Sequence, residues 1–183
     1  MLLTYRDLTV RTAAPTDAAR LAAWWNDGAV MAHAGFPLGL GVTEAQVAGQ
    51  IRAGCPGVRE LLLIEQNGVP IGEMNYRTVR PAPGTAPLPP TAEIGIKICR
   101  ADCQNKGLGK VLLSLLIREL FRAGFAAIVL DTNPDNLRAR QVYRRLGFEQ
   151  AGLVKNNWRD QLGRPQSTVH YRLEPAQFVD FAR

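Results

Sequence analysis

No apolar run in this chain of 183 residues comes near the ~18 residues that a membrane-spanning helix requires. The most apolar stretch, Val111 to Leu120, is broken by Ser114, Arg118 and Glu119. No secretory leader is expected either: Met1-Leu-Leu-Thr-Tyr-Arg-Asp carries acid and base where a leader has an apolar centre. The chain is therefore expected to be cytoplasmic, with no membrane partner. Cysteine is scarce. Cys55, Cys99 and Cys103 are an odd set, which argues against a disulfide framework. Cys99 and Cys103 have no companion His or Cys close in sequence, so no metal is expected and the thiols read as structural. His33 is a lone histidine in a Gly/Pro-rich stretch, where such residues are usually just solvated.

What is present is ordinary in amount and uneven in placement. Hydrophobic content of 46% supports a sizeable core, and 183 residues fit one domain. The net charge is +6. Between Lys97 and Arg145 stand ten Lys or Arg against four Asp or Glu, an excess of six; the rest of the chain has twelve of each. The whole excess thus lies in one segment. The basic residues are not interleaved with exposed aromatics and spell no nucleic-acid module, so a small anionic ligand is the better reading and nucleic acid is disfavoured.

That segment contains Gln104-Asn105-Lys106-Gly107-Leu108-Gly109, between a strand-like run and a helix-like run. A glycine-bearing turn entering a helix leaves backbone N–H groups without intrahelical partners. The helix dipole adds roughly half a positive charge there, which suits a phosphate. A P-loop is excluded, because Gly109-Lys110 is followed by Val111 and Gln104 stands where the first glycine belongs. A dinucleotide fingerprint is excluded by Leu112 in the third glycine position.

Periodicity gives the element order. Leu8 to Thr12 reads as a strand and Thr16 to Asn26 as a helix closed by Asp27-Gly28. Ala29 to Val42 reads as a loop with room for one helical turn. Thr43-Glu-Ala-Gln46 is a capping box opening a second helix to about Ala53. Glu60 to Gln66 and Val69 to Val79 flank the hairpin signal Asn67-Gly68. Pro81 to Pro90 is a stiff connecting loop, and Thr91 to Cys99 is the next strand. Leu108 to Arg122 carries an apolar stripe at Leu108, Val111, Leu112, Leu115 and Leu116. Ala126 to Asp131 is a strand, and Asn133-Pro134 is expected to cap the next helix. Phe148 to Leu153 and Ser167 to Leu173 are strands, with Lys155 to Gln166 a long polar loop between them. This order implies mixed α/β around one sheet, with one parallel strand–helix–strand crossover.

The spelling Q-x-x-G-x-G at Gln104 is joined by Asn136-Leu-Arg-Ala139, then Tyr143, then Gly147-Phe148, an N-x-x-A-x-x-x-Y-x-x-x-G-F pattern. Together, in this order, they resemble the two signatures of the GNAT (Gcn5-related) N-acetyltransferase superfamily. The stretch Asn157-Trp-Arg-Asp-Gln-Leu-Gly163 more loosely resembles the ribosomal-protein alanine acetyltransferases. The resemblance covers residues 1–183 as one acyl-CoA N-acyltransferase domain. It implies a mostly antiparallel sheet with helices on both faces, and acetyl transfer from acetyl-CoA to an amine.

It also implies roles. The pyrophosphate of acetyl-CoA would rest on Gln104, Asn105, Lys106, Gly107, Leu108 and Gly109, with Lys106 and Lys110 as countercharge. The backbone of Ile96, Lys97 and Ile98 would bind the pantetheine, one N–H serving as oxyanion donor. Asn136 would hold the pantetheine by its amide, or simply start its helix. Glu93 is the expected base, with Glu73 in reserve; the plain alternative for Glu93 is a pair with Arg or Lys. Tyr143 is the expected acid, against a plain core role. Trp24, Trp25 and Trp158 read as core or pocket wall. The acceptor is an amine on a small molecule, such as an aminoglycoside, polyamine or amino acid, or a peptide N-terminus. A non-catalytic acyl-CoA-binding module is the alternative from another class. The apolar strands Glu60 to Gln66 and Ser167 to Leu173 are candidate surfaces for a homodimer.

Overall fold

Strand β5 (Thr91–Ile98) and strand β6 (Ala127–Thr132) run parallel, joined by helix α4 (Leu108–Arg122). The rest of the chain is arranged to either side of this crossover. The structure, a computed structural model, describes residues 1–81 and 89–183. Most of the expected Pro81–Pro90 loop lies outside the described residues.

On one side of β5 stand β1 (Leu2–Tyr5), β2 (Leu8–Thr12), β3 (Arg59–Gln66) and β4 (Val69–Thr78). On the other side of β6 stand β8 (Pro165–Leu173) and then β7 (Glu149–Arg159). The sheet order is β1-β2-β3-β4-β5-β6-β8-β7, and β5–β6 is the parallel pair in an otherwise antiparallel sheet. Asn67 and Gly68 both take positive φ (51° and 74°), as a two-residue hairpin between β3 and β4 demands.

Helices cover both faces. Alternation along β3 sends Leu62 and Ile64 to one side and Leu63 to the other. Leu62 and Ile64 meet α4 and α5 (Leu137–Leu146). Leu63 meets α1 (Ala18–Asn26) and α3 (Glu44–Arg52). Between α1 and α3 lies the short α2 (Gly28–Met31). Helix α4 is buried well beyond its predicted stripe, at Leu113 and Ile117 as well. The C-terminal tail fastens to the helix at Ser114 and Arg118. Phe181 donates its N–H to Ser114 Oγ at 3.0 Å, and Arg118 Nη1 binds Asp180 Oδ2 at 3.1 Å. Each fully buried Leu contributes roughly 1.5–3 kcal/mol.

Three expectations need correction. β1 was absent from the sequence reading, because a four-residue edge strand turning at Arg6 (φ 55°) offers neither glycine nor clear alternation. Asp27 closes α1 as expected, and the helical turn after it is α2, capped where Asp27 Oδ1 accepts from Ala29 N–H. Asn133 does not cap α5. Its Oδ1 accepts from Asp135 N–H, and the cap is Asn136, whose Oδ1 accepts from Ala139 N–H at 3.2 Å. The polar loop Lys155 to Gln166 is instead the far half of a β7–β8 hairpin, and only residues 160–164 turn. Nearly every β7 residue is exposed on both faces, and a bulge with Asn156 at φ 51° breaks the period. The arm therefore lacks the alternation by which strands are recognised.

Candidate active site

The site begins where the parallel pair stops. β5 and β6 are paired only at Thr91↔Ala127, Ala92↔Ile128 and Glu93↔Val129. Past that point β5 stays with β4, as far as Gly72↔Ile98, while β6 stays with β8, as far as Thr132↔Val169. The two strands diverge and open a wedge in the sheet. The ladder with β4 fixes which backbone groups face it. Val79 donates its N–H to the Thr91 carbonyl and Cys99 its N–H to the Ile71 carbonyl. Alternation then turns Glu93, Gly95 and Lys97 toward β4, and Ile94, Ile96 and Ile98 toward the wedge. Of the three expected pantetheine contacts, Ile96 and Ile98 therefore present backbone to the wedge. Lys97 does not; its backbone belongs to the ladder and its ammonium pairs with Glu73. The cleft that includes the wedge has a volume of about 1340 Å³.

The phosphate-loop residues stand at one end of it. Asn105 (φ 63°) and Gly107 (φ 76°) take left-handed backbone, and Gly107 opens α4 with no side-chain cap. The first N–H groups of α4 are thus left for a ligand. Asn105, Gly107, Leu108, Gly109 and Lys110 line the cleft, and a Cβ built at Gly109 meets nothing within 4 Å. The space above that glycine is cleft, so a phosphate can approach the backbone directly. Gln104 also lines the cleft, but its amide is engaged: Nε2 donates to the Ile98 carbonyl at 2.9 Å. Lys106 is exposed and is not among the lining residues. Lys110 lines the cleft with its Nζ 4.7 Å above the Phe181 ring. Two further cations, Arg138 and Arg145, line it from α5. Their spacing of seven places them on one helix face, a signal present in the sequence.

Asn136 and Tyr143 come from α5. Asn136 spends its carbonyl oxygen on the cap, which leaves its NH₂ group without a hydrogen bond among the described residues and free for a ligand. Tyr143 is 8% exposed, packed edge-on against Tyr171 with ring centroids 5.5 Å apart. Its hydroxyl has no hydrogen-bond partner among the described residues and borders the cleft. Burial, and then the negative charge of Asp131, push its pKa above the ordinary phenol value. Tyr143 is thus a core residue by its ring and a cleft residue by its hydroxyl.

The opposite face of the sheet carries the charged residues. Glu93 lines the cleft and is held by Arg77, whose Nη2 lies 2.8 Å from both carboxylate oxygens. Glu73 is sequestered: Lys97 Nζ lies 2.6 Å from one oxygen and Trp25 Nε1 2.8 Å from the other. It fastens α1 to the sheet. Asp131 was not singled out by the sequence. It lines the cleft on β6, and its carboxylate has no hydrogen-bond or ion-pair partner among the described residues. Burial and the charge of Glu93 raise its pKa above the usual aspartate value, against the pull of His170 and Arg77. Trp24 and Trp25 are buried in the α1–α3 cluster. Trp158 and His33 line the cleft.

The outer mouth is bridged. The α2 segment meets the β7–β8 hairpin through Gln161, whose Oε1 accepts from Leu38 N–H at 2.8 Å and whose Nε2 donates to the Gly39 carbonyl at 2.9 Å. Its backbone N–H donates to the Gly35 carbonyl at 2.9 Å. Asp160 is held inside the hairpin turn by Arg164 and by the Leu162 and Arg164 N–H groups.

Residues 7–149 match the family profile of the acetyltransferase (GNAT) domain. That is well over half of the chain, and the chain belongs to this family. A stretch of 68 residues is 35% identical to the [ribosomal protein bS18]-alanine N-acetyltransferase of Escherichia coli, covering 37% of this chain and 46% of that protein. The match thus spans less than half the length of that curated relative. Among solved structures, yncA of Salmonella typhimurium, described as a candidate acetyltransferase with its cofactor acetyl-CoA, superposes with a TM-score of 0.75. It is 25% identical, over 92% of this chain and 94% of its own. The spermidine N-acetyltransferase of Vibrio cholerae, solved with CoA and spermine, has a TM-score of 0.78 at 17% identity, covering 93% of this chain and 97% of its own. At that identity it shares the fold.

Proposed function

We propose that this protein transfers acetyl from acetyl-CoA to a primary amine by direct attack. The observation that carries the reading is the wedge between β5 and β6, with a helix-start anion site at one end and the Tyr143 hydroxyl along its wall. The pyrophosphate is assigned to the N–H groups from Asn105 to Gly109, with Lys110 as countercharge. Lys106, exposed beside the loop, contributes at long range only. The pantetheine is assigned to the Ile96 backbone, the Ile98 N–H and the Asn136 amide, so that it completes the interrupted sheet as a strand would.

The thioester carbonyl then lies against a β5 N–H as oxyanion donor. The amine lone pair attacks that carbon, the C–S bond breaks, and Tyr143 protonates the thiolate. The raised Tyr143 pKa keeps its proton in place through neutral pH. Most amines arrive as ammonium at pH 7, so a carboxylate must take a proton first. Glu93 and Asp131 both border the face from which the acceptor comes.

For the acceptor we assign a peptide N-terminal amine, supported by the name of the Escherichia coli relative. Thiol release from acetyl-CoA, followed with an alanine-initiated peptide and with spermidine, tests this. Turnover with the peptide is expected. Turnover with spermidine alone would move the acceptor to polyamines, and turnover with neither would favour an acyl-CoA-binding module.

A further inference from the structure

The floor of the outer cleft is the sheet face that α1 and α3 cover further in, and register fixes what stands on it. Glu73 is level with Lys97, Asn75 with Gly95, and Arg77 with Glu93. On β3, Leu63 and Leu61 are level with Glu73 and Asn75, and both pack in the α1–α3 cluster. The alternate residues Met74, Tyr76 and Ile94 are buried on the α4–α5 side. Two cross-strand ion pairs therefore flank Asn75 and Gly95 on one face. They have opposite sense: the acid stands on β4 in Glu73–Lys97 and on β5 in Arg77–Glu93.

Gly95 makes this face a trough. It has no side chain to raise the floor, and the Asn75 amide lies across it, with Nδ2 3.0 Å and Oδ1 3.3 Å from where a Cβ would stand. Both residues line the cleft. Asn75 is exposed, and its amide makes no hydrogen bond among the described residues. The charged neighbours are turned to each other, Lys97 to Glu73 and Arg77 to Glu93. The amide thus offers the cleft two N–H donors and one carbonyl acceptor.

The flanking pairs give the trough a polarity. The Glu73 side chain is closed off at 1% exposure, whereas that of Lys97 is 29% exposed, so the cleft meets the ammonium of this pair. One of its three N–H donors is used on Glu73. At the other end Glu93 borders the cleft as an open carboxylate. Anion and donors stand four residues apart on β5, roughly 13 Å. A peptide N-terminus matches this order, with its ammonium toward Glu93 and its carbonyls toward Asn75 and Lys97. A polyamine does not: it carries cations along its length and has no acceptor for the Asn75 NH₂ group or the Lys97 ammonium.

We propose that Asn75 is a specificity-determining residue, whose amide takes the first peptide group of the acceptor, Nδ2 donating to its carbonyl and Oδ1 accepting from its N–H. The inference rests on the acetyl-transfer reading above and restricts the acceptor to amines followed by a peptide bond.

The test is steady-state acetyl transfer to an alanine-initiated peptide, to the same peptide with its first peptide N–H replaced by an ester oxygen, and to spermidine. In the wild type, the ester should have a KM several-fold above that of the peptide. Asn75→Leu should raise the peptide KM about tenfold, with kcat and the Kd for acetyl-CoA little changed. It should also lose the distinction between peptide and ester, which a merely structural role would leave in place. Gly95→Ala, whose Cβ displaces the amide, should shift the peptide KM in the same direction. Equal KM for peptide and ester in the wild type, or an undiminished ester penalty in Asn75→Leu, overturns the assignment. So does a wild type that prefers spermidine to the peptide. If Asn75→Leu does not fold, the peptide–ester comparison in the wild type and in Gly95→Ala decides. A wild type that fails to bind acetyl-CoA sinks the transfer reading, while calorimetry with the peptide and its ester still decides the role of Asn75.

Discussion

The Gln104 amide donates to the Ile98 carbonyl across 2.9 Å, tying the anion loop to the last residue of the strand that lines the wedge. Ile98 turns that carbonyl away from β4, so without Gln104 it would face the cleft unpaired. The first residue of the loop signature thus acts as a brace between two binding surfaces, and its amide is not left for a phosphate. Gln104→Ala should raise the Kd for acetyl-CoA about tenfold, the equivalent of one hydrogen bond of ~1–1.5 kcal/mol. Unchanged affinity by calorimetry would show that the loop holds its place without the brace.

Glu73 and Lys97 form a pair that is almost wholly closed to water on the carboxylate side, where the side chain is 1% exposed. Breaking such a pair from one end leaves a buried charge. Lys97→Met should therefore cost roughly 3 kcal/mol in urea denaturation. Glu73→Gln keeps an acceptor for Trp25 Nε1 and should cost less. The prediction fails if the Lys97→Met midpoint matches the wild type.

Tyr143 gives a prediction about pH. As the proposed acid it works only while protonated, and its pKa is raised, first by burial and next by Asp131. Its proton is therefore retained through neutral and mildly alkaline pH. No alkaline fall in kcat/KM from this group should appear below the ordinary tyrosine value of about 10. Tyr143→Phe should lower kcat by about a hundredfold with acetyl-CoA affinity unchanged. A fall near pH 8 that vanishes in Tyr143→Phe would contradict this.

Gln161 joins the α2 segment to the hairpin tip at the mouth of the cleft. Both elements lie at the mouth assigned to the acceptor, away from the loop assigned to the phosphates. Gln161→Ala should raise the KM for the acceptor several-fold, about 1 kcal/mol, and leave the Kd for acetyl-CoA alone. Equal effects on both would mean that the bridge supports the whole cleft.

These residues also show how far the sequence could be read. Leu108–Arg122 was predicted with both ends correct, because a strong 3.6-residue stripe, an opening glycine and Gly124 all agreed. The Asn67-Gly68 turn was equally plain. What escaped was whatever depended on partners distant in sequence. The β7 arm has no buried face to impose alternation, so it read as a loop. Glu93 was chosen for its strand, but only the fold brings Arg77 against it. Asp131 closed a buried strand in the sequence and stood out only when β5 and β6 were seen to part beside it. The cations divided in the same way: Lys106, next to the glycines, stands off the cleft, while Arg138 and Arg145, over thirty residues away, line it.

The most direct test of the account is calorimetric titration of the protein with acetyl-CoA, with a Gly107→Glu variant alongside. Gly107 has φ 76° and opens α4, so a side chain there strains the turn and places negative charge where the phosphates are assigned. Saturable one-to-one binding to the wild type in the micromolar range, largely lost in Gly107→Glu, is the predicted result. No binding to the wild type, or equal binding to both, would contradict the assignment of the loop and of the wedge beside it.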